Sequence, residues 1–464
     1  MKSLLSILLF AAIGVTGICM AQNPASTTVP TAAIAGTNQD NPTFSENSIK
    51  RYMFSMDTFA AIEMEFSKRK VLFTKAPKAP AAGKTTSMIG IGSSGFPTPF
   101  IIEHVAGRFH VYAERRRPQH PVAPLPYRSQ DVVFETPDPA VSPVGTLSYP
   151  KSGGPFPAVV LVAGSGPHNR DAGMSLHKTL LVLADHLTRQ GFAVLRYDKR
   201  GVGLTGGNLH PNSTTDDYTA DAIAAVRFLK LQANIDPAKI GIVGHSEGGI
   251  IAAMAAAEAP KDVSFIVMLA GTGLPGIEIK SLQDAAERRA DGMPESHVLL
   301  FQSHDRELFE IAASKRNHTE ALAAMRAAYL ALPLTTKEAL GLPPAETPEE
   351  LFEVFLSPWF RRFLSLDPRT YLEKVTCPTL ALIGEKDRQV PAAENLKEIR
   401  SALKVTTNRT SPQSSVRQLP GLNHNFQTAK TGQASEYFLI EETIAPPALA
   451  LMSSWMQEVV HKKK

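Results

Sequence analysis

At 464 residues the chain is long enough for one large domain with additional segments. With 43% apolar and 20% charged residues it has the composition of a globular protein. The formal net charge is only +4, and the runs Arg115-Arg116-Arg117 and Lys462-Lys463-Lys464 are short. They read as solvated surface, so nucleic acid is excluded as a partner.

Residues 1–21 form the first predicted element. Lys2 gives a charged start, Leu4 to Val15 is an apolar run too short for a comfortable span, and small residues lead to a cleavage point after Ala21. That order predicts a secretory signal peptide and an exported, periplasmic or extracellular, product. Ile18 stands where a lipidated cysteine is normally preceded by a small residue, which disfavours an anchor at Cys19. After cleavage only Cys377 remains, so no intramolecular disulfide is expected. No later run approaches the about 20 apolar residues that span a bilayer, so no stable membrane insertion is expected.

Residues 22–126 read as a leader followed by an accessory segment of undefined fold. The stretch from Gln22 to Glu46 is rich in Pro, Ala, Thr and Asn and predicts disorder. Ile49 to Phe73 carries a weak helical or strand pattern, and Lys75 to Gly95 is linker-like. Phe109 to Tyr112 is extended, and Pro118 to Pro126 is proline-rich.

From Tyr127 the pattern changes. Val132-Val133-Phe134 and Gly145 to Tyr149 predict an opening hairpin. The apolar runs Ala158–Ala163, Ala193–Leu195, Ile240–Val243 and Phe265–Leu269 then alternate with helical stretches at 176–189, 215–231 and 248–259. Buried runs joined by helices require a mostly parallel sheet covered on both faces, an α/β fold. From 275 to 372 helical sequence replaces the strands, and strand texture resumes at Thr379–Ile383 and Val416–Leu419 before a last helix from Ala445. A helical insertion at that point predicts a cap over the carboxyl edge of the sheet.

Gly244-His245-Ser246-Glu247-Gly248 fits G-x-S-x-G after a strand-like run and before a small-residue helix. That setting holds a serine exposed on a strained turn, which makes Ser246 the candidate nucleophile. A serine hydroxyl needs a base, and the base an orienting acid. Asp387 follows the strand at 379–383, with Glu385 as a minor alternative. His424 lies in a loop after the last strand, whereas His245 is expected to face away from the nucleophile's partner. An oxyanion needs two backbone donors. Glu247, next after the serine, and Ser165 in the glycine loop Gly164-Ser165-Gly166 are the candidates. The two G-x-G-x-x-G matches, at 201–206 and 271–276, do not open helices within βαβ units, so no dinucleotide is expected. Neither H-E-x-x-H nor paired cysteines occur, and no metal or other cofactor is expected.

Five motifs together carry a family resemblance: Gly164 to Asp171, Arg196 to Gly203, Gly244 to Gly249, Gly384 to Asp387 and Leu422 to His424. On them, residues 127–464 resemble the bacterial carboxylesterase branch of the α/β-hydrolase superfamily, grouped with serine-aminopeptidase-like hydrolases. The resemblance implies a Ser246–Asp387–His424 triad, a small short-acyl ester as substrate, and a bracing role for Asp198 and Arg200 at the oxyanion loop. It leaves open a peptidase using the same triad. A non-catalytic binding protein on this scaffold is disfavoured, because no triad member is missing.

Overall fold

The computed structural model describes residues 117–174, 177–343, 346–404, 414–437 and 440–461, with the backbone of six strands between 43 and 113. The chain divides into two units, one containing 119–433 and 442–464, the other containing 17–118 and 434–441.

In the smaller unit β1 (Thr43–Ser45), β2 (Ile62–Phe66), β3 (Arg69–Phe73), β4 (Thr85–Gly92), β5 (Pro97–Val105) and β6 (Arg108–Ala113) form one antiparallel sheet, ordered β1-β6-β5-β4-β3-β2. Two expectations are corrected by it. Part of the expected disordered leader, Thr43–Ser45, pairs with β6, and the linker-like stretch contains β4, which pairs with both β3 and β5. Cross-strand pairing overrides the low strand propensity of Gly90 and Gly92 there. The predicted signal peptide and most of the leader lie outside the described residues.

The larger unit has the α/β-hydrolase fold. Its eight-stranded sheet contains β7 (Tyr127–Val133), β8 (Val144–Pro150), β9 (Phe156–Val162), β12 (Ala193–Tyr197), β13 (Ile235–His245), β14 (Phe265–Leu269), β15 (Thr379–Gly384) and β16 (Ser414–Leu419). A separate two-residue pair, β10 (Gly173–Met174) and β11 (His177–Lys178), lies between β9 and β12 in sequence. The sheet order is β16-β15-β14-β13-β9-β12-β8-β7, and only β8 opposes its neighbours. Alternation along each strand builds two cores. Ala158, Val160, Val162, Ile266, Met268, Ala381 and Ile383 face one, and Val159, Leu161, Val267, Leu269, Leu380 and Leu382 the other. Helices α1 (Thr179–Arg189) and α12 (Pro446–His461) cover the second face; α2 (Thr215–Lys230), α3 (Glu247–Glu258) and α11 (Ala392–Ala402) cover the first. Helix α2 begins at a capping box in which the Thr214 hydroxyl accepts from the Asp217 amide and the Asp217 carboxylate accepts from the Thr214 amide.

Between β14 and β15 the expected cap is present as α4 (Gly276–Ala290), α5 (Glu295–Ala313), α6 (His318–Ala331), α7 (Leu334–Ala339), α8 (Glu349–Phe355), α9 (Pro358–Ser365) and α10 (Arg369–Leu372). Its aromatic residues form its own core: Phe355 meets Phe309 at 5.3 Å and Phe360 at 5.1 Å between ring centroids, and all three are buried. Among the described residues no helix is long and apolar enough to cross a membrane.

Candidate active site

Strand β13 runs straight into α3 through Ser246, whose backbone sits at φ 56°, ψ −122°. Such a conformation costs about 1–3 kcal/mol for a residue with a side chain. Two glycines make the sharp turn sterically feasible. A Cβ on Gly244 would stand 1.9 Å from the Gly248 carbonyl oxygen, and one on Gly248 would stand 2.3 Å from that of Val162. The turn is pinned by the Ser246 amide donating to Leu269 (2.8 Å) and the Gly249 amide donating to Ser246 (2.9 Å). Glu247 is the first residue of α3, where helix amides have no intrahelical acceptor and the helix dipole favours negative charge.

Asp387 follows β15 and is buried, with both carboxylate oxygens on His424 Nδ1, at 3.0 Å (Oδ1) and 2.9 Å (Oδ2). Oδ1 also accepts from the amides of Gln389 (2.9 Å) and Val390 (2.8 Å). Nδ1 therefore carries the proton and Nε2 is the acceptor nitrogen. The alternative acid, Glu385, is exposed and instead accepts from the Gly421 amide at 2.8 Å, tying down the turn before His424. His245 departs from expectation. Its ring lies 4.9 Å from that of His424, and its Nε2 donates to the His424 carbonyl at 2.9 Å. It faces the base's loop because the strand end and that loop meet there, and the contact holds the loop against the residue preceding Ser246. Burial pushes the His245 ring down to about 3, so it is neutral.

The glycine loop after β9 lies directly on the turn: a Cβ on Gly164 would be 3.0 Å from the Ser246 Cβ and 3.6 Å from its Oγ. Asp198 braces this loop as the resemblance implies, accepting from the Arg170 amide (2.7 Å), Nε (3.2 Å) and Nη2 (2.9 Å). Arg200 does not. It grips Asp221 of α2 at 2.7 and 2.8 Å, because its side chain is directed to that helix.

Sequence reasoning missed three side chains. Lys199, buried between Asp198 and Arg200, donates to the Gly164 carbonyl at 2.9 Å. His168 Nε2 donates to the Ser165 carbonyl at 2.7 Å, and burial pushes its pKa down to about 4. The third is the Glu247 side chain, wholly buried, whose Oε1 accepts from Thr215 Oγ1 (2.8 Å) and from Nε1 of Trp359 in the cap (2.7 Å). All three lie inside the motifs at 164–171, 196–203 and 244–249, but that position alone assigned no role to their side chains. Among the described residues no group of three His, Cys, Asp or Glu side chains is placed to hold a metal ion.

A strained serine at a strand–helix turn, an Asp–His pair on the next loops and a glycine loop against the serine are the parts of an α/β-hydrolase site. Comparisons with known proteins find similarity over part of the chain. Residues 172–329 match the family described as serine aminopeptidase, S33, a span that includes Ser246 but ends before Asp387 and His424. Esterase EstD of Thermotoga maritima is 27% identical over 263 residues, covering 55% of this chain and 53% of that protein. An uncharacterized protein of Mycobacterium tuberculosis is 34% identical over 132 residues, 28% of this chain and 42% of the other. The chain thus spans about half the length of the curated relatives it matches. Among solved structures, the α/β hydrolase GrgF from Penicillium aligns with a TM-score of 0.44 at 17% identity, covering 71% of this chain and 98% of that one.

Proposed function

We propose that the protein is a serine carboxylic ester hydrolase working through an acyl-enzyme on small, short-acyl esters. The observation that carries this reading is the buried Asp387–His424 pair, held by His245 against the turn that presents Ser246. His424 Nε2 removes the Ser246 proton as the hydroxyl oxygen bonds to the acyl carbon, and Asp387 fixes the tautomer. The Glu247 and Ser165 amides hold the oxyanion. His424 then protonates the departing alkoxide, and water, deprotonated by the same nitrogen, releases the acid. No cofactor enters any step. EstD, named as an esterase, supports the substrate class. The N-terminal segment supports export.

Initial rates on p-nitrophenyl esters of increasing acyl length, for the protein and Ser246→Ala, test the reading. Activity greatest on short chains and lost in the variant is expected; equal rates for both would end it. The match to the serine aminopeptidase family favours one second reading, a peptidase using the same three residues. Cleavage of aminoacyl p-nitroanilides, with no activity on esters, would establish it instead.

A further inference from the structure

We propose that Lys199 and the side chain of Glu247 are positioning residues that set both oxyanion donors from within the protein, and that the cap helps to hold them. The inference rests on the serine-hydrolase reading above.

The Gly164 carbonyl and the Ser165 N–H are opposite ends of the same trans peptide unit. Lys199 Nζ donates to that carbonyl at 2.9 Å. An ammonium there fixes the plane, so the N–H points the opposite way, and it polarises that N–H through the peptide group. The Ser165 carbonyl, in the next plane, is fixed by His168 Nε2 at 2.7 Å. Both planes that flank the donor are therefore anchored, one by the buried Lys199 and the other by the partly buried His168.

Lys199 is held in turn. Its Nζ lies 3.7 Å from Glu247 Oε2 and 3.7 Å from the centre of the Tyr218 ring. Glu247 supplies the other oxyanion amide from its backbone, so one residue provides a donor and anchors the lysine that fixes the second. Thr215 on α2 and Trp359 in the cap fasten its Oε1. The Trp359 amide donates to the Pro211 carbonyl at 3.0 Å, which seats the tryptophan on the main domain.

Stability alone does not account for the pair. Its lysine and carboxylate are almost fully buried, Oε2 makes no hydrogen bond, and a separation of 3.7 Å is long for an ion pair asked to offset two desolvations. A fixed electrostatic frame beside a developing negative charge does account for it, since prealigned donors need not reorganise during reaction.

The test compares Lys199→Met, Glu247→Gln and the double variant with the native chain, reading kcat, KM, Tm and inhibition by a boronic acid that forms a tetrahedral adduct on serine. Glu247→Gln keeps an acceptor for Thr215 and Trp359, removes the charge and turns an NH₂ towards Lys199 in place of Oε2. Expected are kcat losses of about 10–100-fold with KM within about two-fold, since a loosened donor costs part of the about 10²–10³ carried by one. Boronate affinity should fall in parallel. The double variant, free of an unpaired buried charge, should recover Tm without recovering kcat. If Lys199→Met does not fold, the double variant is read in its place, and Trp359→Phe should fall in the same direction by less. Variants that lose Tm but keep kcat and boronate affinity within about three-fold would overturn the inference alone. Ser246→Ala separates the two failures: if it hydrolyses esters, or where neither protein does so aminoacyl p-nitroanilides, like the native chain, the serine reading falls and this inference with it.

Discussion

Replacing Asp387 with Asn tests the proposed mechanism at the point where the geometry is tightest. Oδ1 accepts two backbone amides, from Gln389 at 2.9 Å and Val390 at 2.8 Å, and lies 3.0 Å from His424 Nδ1, which Oδ2 meets at 2.9 Å. An asparagine must keep its oxygen on the two amides, so its NH₂ takes the place of Oδ2 and faces Nδ1. An NH₂ can only donate. Nδ1 then becomes the acceptor, the ring proton moves to Nε2, and the nitrogen needed to take the Ser246 proton is lost. Because both amide bonds survive and a buried charge is removed, the variant should fold. The wrong tautomer should lower kcat by about 10³–10⁴, equivalent to about 4–5.5 kcal/mol of transition-state stabilisation. Steady-state kinetics on a p-nitrophenyl ester, with circular dichroism and Tm to establish folding, measure this directly. Glu385→Gln is the paired control and should leave kcat unchanged, because that carboxylate only accepts from the Gly421 amide. A folded Asp387→Asn protein retaining more than about a tenth of native kcat would refute the tautomer argument.

Other predictions concern the turn and three histidines with lowered pKa values. Gly244→Ala places a methyl 1.9 Å from the Gly248 carbonyl, with backbone on both sides, and should cost about 3 kcal/mol or more in urea unfolding. At Ser246, glycine adopts φ 56° without strain and alanine does not, so Ser246→Gly should be more stable than Ser246→Ala by about 1 kcal/mol while both are inactive. His168, His210 and His245 are pushed down by burial, to about 4, 3 and 3. Their folded pKa values lie below those of the unfolded chain, so the unfolded state binds more protons below pH 6.5. The stability they contribute is present above that pH and is lost as pH falls towards 4 and 3, with a slope of about 1.4 kcal/mol per pH unit for each histidine. Urea unfolding from pH 7 to 4 should show a reduced slope in His245→Asn, and an unchanged slope would refute the assignment.

Legibility followed the range of the interaction that shapes each part. The sheet of the larger unit was readable because strands buried on both faces are apolar throughout, as in Phe265–Leu269, and the turn at Ser246 because Gly244 and Gly248 stand at sterically fixed positions. The cap's extent was readable from the loss of strand texture. Its aromatic residues read more readily as cap core than as a pocket wall, and their assembly into a core depends on packing between separate helices. The sheet of the smaller unit was hidden because Thr85–Gly92 mixes polar, apolar and glycine residues, and pairing with its neighbours decides its state. Glu247 shows the limit most sharply. Its backbone role follows from being next to Ser246, a relation local in sequence. Its side chain connects Thr215, 32 residues away, with Trp359, 112 residues away, and approaches Lys199. Nothing at position 247 alone distinguishes a carboxylate facing solvent on the first turn of a helix, its ordinary place, from one buried beneath a cap. The decisive fact is that the cap inserted after β14 returns a tryptophan to the start of α3, and that closure exists only in three dimensions. The same separation in sequence explains why mutations in the cap, remote from Ser246 along the chain, are expected to register in kcat rather than in substrate binding alone.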